Sequence, residues 1–241
     1  MKSKRTIDIC FTPALIHLYD ISDSVVVVID VLRATSSICV ALANGVNSIV
    51  PVAGIEESLA YRSKGFLIGA ERNGEMLDGF DFGNSPFSYM QDNIKGRNVA
   101  LSTTNGTQAI EAAKNAYKIA IASFLNLDAI SKWLGMQDKN VVLLCSGWKN
   151  SFNLEDTLLA GAVATKLKND FGYSSLQDSV IAAKHLYEIA KDDLYGFLEE
   201  SSHRKRLEKL QIEKDIEYCL TPNQTNVVPV LVDGALVNVA S

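Results

Sequence analysis

Apolar and polar positions follow one repeated order along the chain: a short β-branched run, a polar loop, then a helical pattern. Val25–Ile29 leads into Asp30–Arg33 and then ATSSICVALANG. Asn98–Leu101 leads into STTNGT and QAIEAAKN, and Val141–Cys145 leads into SGWKNSFN and LEDTLLAGAVATKLKND. Continuous apolar runs predict strands buried on both faces, and their alternation with helices predicts a mostly parallel sheet. Ser48–Val52 and Lys118–Ala122 are the expected returning strands. Gly69–Pro86, GAERNGEMLDGFDFGNSP, has almost no hydrophobic period and predicts a long loop, a kind that is usually functional. Beyond Leu176 the pattern turns helical, with Val180, Ile181, Leu186, Ile189 and Leu194 between charges, and SSHRKRLEKL begins another helix capped by Ser201 or Ser202. The closing NVVPVLVDGALVNV predicts a hairpin about Asp233-Gly234. The fold class expected is a three-layer α/β/α protein with a C-terminal helical segment and short hairpin. No low-complexity linker divides the chain, so residues 1–241 are expected to form one domain.

Thr35-x-x-Ile38-x-x-Ala41 and Thr107-x-x-Ile110-x-x-Ala113 echo one another faintly, and helix amphipathicity alone accounts for much of the echo. Composition narrows the class further. Hydrophobic residues make up 47% and charged residues 21%, as in an ordinary globular protein. The net charge of −5, without a Lys or Arg block, argues against a general nucleic-acid surface. It leaves room for a small anion held by local arginines and N–H groups. No run approaches a membrane span, and the basic start MKSKRTIDIC lacks the apolar core of a signal peptide. Cys10, Cys39, Cys145 and Cys219 show no metal or disulfide spacing, so a cytoplasmic location is expected.

Ligands of open α/β sheets collect where strands end and helices begin. The first such loop carries Asp30, Arg33, Thr35 and Ser36: a carboxylate for a divalent cation, a guanidinium for an anion, and hydroxyls at a helix start. The same residues serve equally as a cap and a local ion pair. In the second loop, Ser102 to Thr107, hydroxyls surround Asn105-Gly106. They fit an anion nest, or simply good caps and turn formers. In the third, Ser146 to Asp156, the adjacent Glu155 and Asp156 suit a metal but also suit the helix dipole. Glu71-Arg72 and Asp81 to Pro86 would add a second wall, or a solvated surface loop. The chain has no phosphate-loop, dinucleotide, nucleophile-elbow or zinc-helix motif. His17, His185 and His203 are isolated and are expected to be structural or surface residues.

The blocks IDVLRAT, GAERNGEMLDGFDFGNSP, STTNGTQAI and NLEDTLLAGAV, with DIEYCL and NVVPVLVDG near the end, resemble the 2-phosphosulfolactate phosphatase family in order and over nearly the whole chain. The resemblance implies a Mg²⁺-dependent acid phosphatase of α/β architecture. Such an enzyme releases phosphate from 2-phospho-3-sulfolactate on the way to coenzyme M. Asp30, Glu155 and Asp156 would then be the leading Mg²⁺ ligands, with Glu71 and Asp81 in reserve. Arg33 and Arg72 would grip the phosphoryl or the other acidic groups. Thr35, Ser36, Asn84, Ser85, Thr103, Thr104, Asn105, Gly106, Thr107, Ser146 and Gly147 would line the substrate. Asp30, Arg33, Glu71 and Arg72 would carry the chemistry. The chain departs from the family at HRKRLEKLQ, which has none of the glycines usual there, and this bears on substrate choice. A different small phospho-hydroxy acid and a non-catalytic anion binder stay open as alternatives. So does a homo-oligomer, because the late apolar helices could pack on the sheet or on another copy.

Overall fold

A computed structural model describes residues 5–72 and 74–240. The first four residues of the basic start, position 73 of the glycine-rich block and residue 241 lie outside that description. Strands β1 (Ile7–Cys10), β2 (Ser24–Ile29), β7 (Lys118–Ala122) and β8 (Asn140–Cys145) form one parallel group, in the order β1-β8-β2-β7. Strands β3 (Ser48–Pro51), β6 (Asn98–Ser102) and β4 (Leu67–Arg72) form a second, which β5 (Glu75–Met76) extends antiparallel. The C-terminal hairpin, β9 (Pro229–Val232) and β10 (Ala235–Asn238), lies between the groups. Single residue pairs join it to each side, Ala120 with Val230 and Leu236 with Ile49, all antiparallel. Its turn is the expected Asp233-Gly234, both at positive φ (49° and 82°), the backbone that a two-residue hairpin turn requires.

The period-two rule shows directly in β2. Val25, Val27 and Ile29 face one core with α4 (Leu127–Met136), α5 (Leu154–Phe171) and α6 (Asp178–Ala190). Val26 and Val28 face the other, with α1 (Ala34–Ala43) and α3 (Gly106–Ala112). Side chains that alternate across a strand require cover on both faces, which gives the three layers. Helix α2 (Ile55–Arg62) packs beside β4 and β6. The short α7 (Leu194–Phe197), α8 (Ser202–Glu208) and α9 (Glu213–Cys219) complete the C-terminal segment. Ser201 caps α8 by accepting the Arg204 N–H at 3.2 Å. Among the described residues no helix is long and apolar enough to cross a membrane.

The glycine-rich block departs from expectation, for it is not one long loop. It opens inside β4, where Ile68, Gly69 and Ala70 are buried. Gly69 is there for contact: a Cβ on it would lie 2.8 Å from Tyr89 Oη and 3.0 Å from Leu101 Cδ1. A glycine selected for close packing carries the same letter as one selected for a turn, so the strand is hidden in the pattern.

Candidate active site

Strand ends β2, β4 and β6 converge on one cavity of about 260 Å³. Contacts confirm the convergence of the two sheet groups. A Cβ on Gly106, after β6, would lie 3.0 Å from Ala34 Cβ and 3.2 Å from Asp30 Oδ2. Helix α8 and the loop after β8 close the opposite side with His203, Arg206, Lys209, Trp148 and Lys149.

Asp30 stands on the floor, nearly buried, and its carboxylate accepts the Ala34 N–H at the start of α1. Burial pushes its pKa up to about 6; nearby His203 opposes that rise, while Glu71 and Glu155 add to it. Asp156 is wholly committed to the backbone, accepting Val31 N–H at 2.9 Å and Gly147 N–H at 3.1 Å. It thereby ties the first loop to the third. Burial, then Glu155 and Asp30, hold its pKa well above the ordinary carboxylate range. Glu155 Oε1 lies 2.5 Å from His203 Nδ1, and its buried Oε2 has no partner among the described residues. Glu71 commits one oxygen to the Gly74 N–H at 2.6 Å.

Arg33 sits at the pocket edge with two of its donors already engaged. One Nη pairs with buried Asp215 of α9, and the other donates to Gly74 O at 2.6 Å. Ser85 donates to the same Asp215 at 3.1 Å. Thr35 and Ser36 serve the backbone: Thr35 Oγ1 donates to Asp30 O at 2.9 Å, and Ser36 Oγ donates to Val31 O at 2.8 Å. The threonine echo has a common use. Thr35 Oγ1 accepts the N–H of Asp30 at 3.2 Å, and Thr107 Oγ1 accepts that of Thr103 at 3.1 Å, each at the first residue beyond a strand. Thr103 and Thr107 also bond to each other through their hydroxyls.

Asn84, Thr104 and Asn105 do line the cavity, and Asn84 Oδ1 is buried without a partner among the described residues. Ser146 and Gly147 are buried just beyond β8; the Ser146 hydroxyl lacks a protein partner, and the Gly147 N–H belongs to Asp156. Arg72 faces a neighbouring groove with Thr103 and Thr107 and donates to Glu71 O at 2.7 Å. Asp81 is not at the site: it is exposed, accepting Ile68 N–H at 2.8 Å and pairing with Arg62. Of the two expectations for His203, structural or surface, the second fails: it is a buried group on the pocket wall, paired with Glu155. It and Arg206 come from α8, which reaches the pocket only through tertiary packing. The one signal for that region in the sequence is its departure from the family pattern at HRKRLEKLQ.

Among the described residues, no three His, Cys, Asp or Glu side chains gather as a ready metal cluster. A cation that keeps several waters needs only one or two carboxylates. Asp30 and Glu71 line the cavity, Glu71 with one oxygen uncommitted, and the buried Glu155 Oε2 is unpartnered among the described residues, so this donor set fits a hydrated Mg²⁺ and no closed protein cage.

Fold and site define an α/β protein whose enclosed pocket is acidic on its floor and basic on its outer wall. The sequence model of the 2-phosphosulpholactate phosphatase family matches residues 10–234. The chain is 46% identical over 212 residues to the probable 2-phosphosulfolactate phosphatase of Thermotoga petrophila, spanning 88% of this chain and 90% of that one. It is 44% identical over 212 residues to the protein of that name from Thermotoga maritima, with the same coverage. With the one from Clostridium perfringens it shares 35% over 242 residues, 98% of this chain and 97% of the relative. The chain therefore belongs to the 2-phosphosulfolactate phosphatase family.

Proposed function

We propose that the pocket hydrolyses the phosphate monoester of a small acidic substrate, 2-phospho-3-sulfolactate, as the names of the relatives indicate for those proteins. The observation that carries this reading is the two-signed pocket, with Asp30 and Glu71 below and Arg206, Lys149 and Lys209 on the wall. The product would feed coenzyme M synthesis. Mg²⁺, held by Asp30 with Glu155 Oε2 in support, would supply charge neutralisation at the phosphoryl oxygens. Phosphoryl transfer is mainly a matter of positioning and electrostatics, so the protein needs few other groups. Asn84, Thr104 and Asn105 orient the ester. His203 has Nδ1 committed to Glu155, which leaves Nε2 to hold a proton for the leaving oxygen.

The test is a phosphate-release screen over phosphosulfolactate, phospholactate and simple monoesters, with Mg²⁺ added and then chelated. Release that depends on Mg²⁺ and favours phosphosulfolactate is expected, and Asp30→Asn should abolish it in a folded protein. Tight anion binding without release at any Mg²⁺ concentration would instead identify a binding protein. A preference for another phospho-hydroxy acid would keep the reaction and change the substrate.

A further inference from the structure

Two arginines line the pocket, Arg33 and Arg206, and Arg204 shares a helix with the second. Arg33 holds Asp215 and Gly74. Arg204 donates to Tyr195 O, stacks on the Tyr195 ring at 3.7 Å and lies 3.7 Å from Glu208, although its Nε makes no hydrogen bond among the described residues. Arg206 differs. Among the described residues its Nη2 is buried with no partner, and its Nη1 donates to Ser202 Oγ at 3.3 Å. A buried guanidinium nitrogen without an acceptor is destabilising unless something supplies one.

The setting of Arg206 suits an oxyanion. Its guanidinium lies 4.1 Å from the centre of the Trp148 ring, and Lys149 Nζ lies 4.4 Å from the same ring. The turn that carries this indole is tight. Trp148 N–H donates to Ser151 O at 3.0 Å, and Ser151 N–H returns to Trp148 O at 2.9 Å. Lys149 and Asn150 take positive φ (51° and 61°), a conformation that side chains other than glycine rarely adopt. Backbone of that kind persists where surrounding structure holds it, often at ligand clamps. Trp148 is thus a fixed platform beneath Arg206, and Lys209 lines the same wall. Burial works against the Arg206 cation, and Glu155 favours it.

We infer that Arg206, laid on Trp148 and flanked by Lys149 and Lys209, reads the second acidic group of the substrate, a carboxylate or sulfonate remote from the phosphoryl. This rests on the phosphatase reading of the same pocket. The phosphoryl belongs at the acidic floor, where the carboxylates can hold its cation. One of the two remaining acids of phosphosulfolactate, carboxylate or sulfonate, then faces the wall. A planar guanidinium gives such a group two parallel hydrogen bonds, which an ammonium cannot reproduce. Arg206 is therefore the residue that separates phosphorylated di-acids from plain phosphomonoesters.

The experiment compares wild type with Arg206→Ala, Arg206→Lys and Trp148→Leu, each first shown to be folded by its melting curve. Phosphate release is measured on phosphosulfolactate and on phenyl phosphate. For Arg206→Ala, KM on phosphosulfolactate should rise about 10- to 100-fold, the loss of a charge-assisted pair, with kcat changing far less. The loss on phenyl phosphate should be at least about tenfold smaller, so that discrimination collapses. Arg206→Lys should restore only a minor part, and Trp148→Leu should fall between. Equal losses on both substrates, or full rescue by lysine, would overturn the inference. Titration of sulfolactate into the Mg²⁺-free protein gives a second readout: wild type binds, and Arg206→Ala binds at least about tenfold more weakly. If wild type releases no phosphate from either ester, the phosphatase reading fails, and the sulfolactate titration alone decides the role of Arg206.

Discussion

Replacing Asp215 by leucine leaves the Arg33 guanidinium buried with the Gly74 carbonyl as its remaining partner. Removing one member of a buried ion pair typically destabilises by about 3–5 kcal/mol, because the other charge is stranded away from water. Arg33→Met should do comparable damage: Asp215 keeps only the Ser85 hydroxyl, and the Gly74 carbonyl loses its donor. Independent effects would total roughly 6–10 kcal/mol. The double variant removes both charges, and apolar replacement of a buried pair is often close to neutral. Its residual loss is the orphaned Gly74 carbonyl, about 1–3 kcal/mol. The cycle therefore predicts a coupling energy of at least ~3 kcal/mol. Urea denaturation measures it, as midpoint shifts at constant slope. Each single variant should also melt about 6–20 °C lower, at roughly 2–4 °C per kcal/mol for a chain of this size. If the double loss equals the sum of the singles within about 0.5 kcal/mol, the pair does not hold the first loop to α9 and the assignment is wrong.

Asp156→Asn keeps shape but turns an amide N–H₂ toward a backbone donor at Val31 or Gly147; a loss of about 1–3 kcal/mol in chemical denaturation is expected, and an unchanged midpoint would contradict the strap assigned to it. Asp30 holds its proton more tightly folded (pKa about 6) than at its ordinary value of 3.8, so its stabilising contribution is present below about pH 4 and lost as pH rises through 6. In Mg²⁺-free protein, the stability difference between wild type and Asp30→Asn should therefore move against wild type by up to about 3 kcal/mol between pH 4 and 8, at ~1.36 kcal/mol per pH unit; a flat difference would show that Asp30 is not desolvated. Gly69→Ala should destabilise by about 1–3 kcal/mol through overpacking on Tyr89 and Leu101, and Tyr89→Phe in the same chain should recover part of it by melting temperature.

Legibility in the sequence tracks how local each interaction is. Val25–Ile29 reads as a strand buried on both faces because five consecutive apolar residues leave no polar side to expose, and the structure buries every one. The Asp233-Gly234 turn was equally readable, since its chemistry lies in the two residues themselves. Thr35 and Ser36 had two readings, ligand donors or local bonds, and the nearer acceptors at Asp30 and Val31 won. Gly69 misled because the reason for a missing side chain lies in Tyr89 and Leu101, distant in sequence. His203 and Arg206 carried no motif at all. His203 lies 48 positions from Glu155, and Arg33 lies 182 from Asp215, so only the folded chain supplies either pairing.

A chain of net charge −5 can still receive a multiply charged anion because its acids near the pocket are divided between two tasks. Asp156 gives both oxygens to the backbone, Asp215 gives itself to Arg33 and Ser85, and Glu71 gives one oxygen to Gly74. These carboxylates neutralise donors that would otherwise be stranded, so their charges are largely answered inside the protein. What lines the cavity is Asp30 and Glu71 on one side, and Arg206 with two exposed lysines on the other. Over distances beyond about 8–10 Å the remaining surface acids are screened by salt, whereas groups in the partly enclosed cavity are screened far less. The local field therefore outweighs the global charge. It is two-signed along the pocket, which suits a cation and a phosphoryl group at the floor and a second acid at the wall.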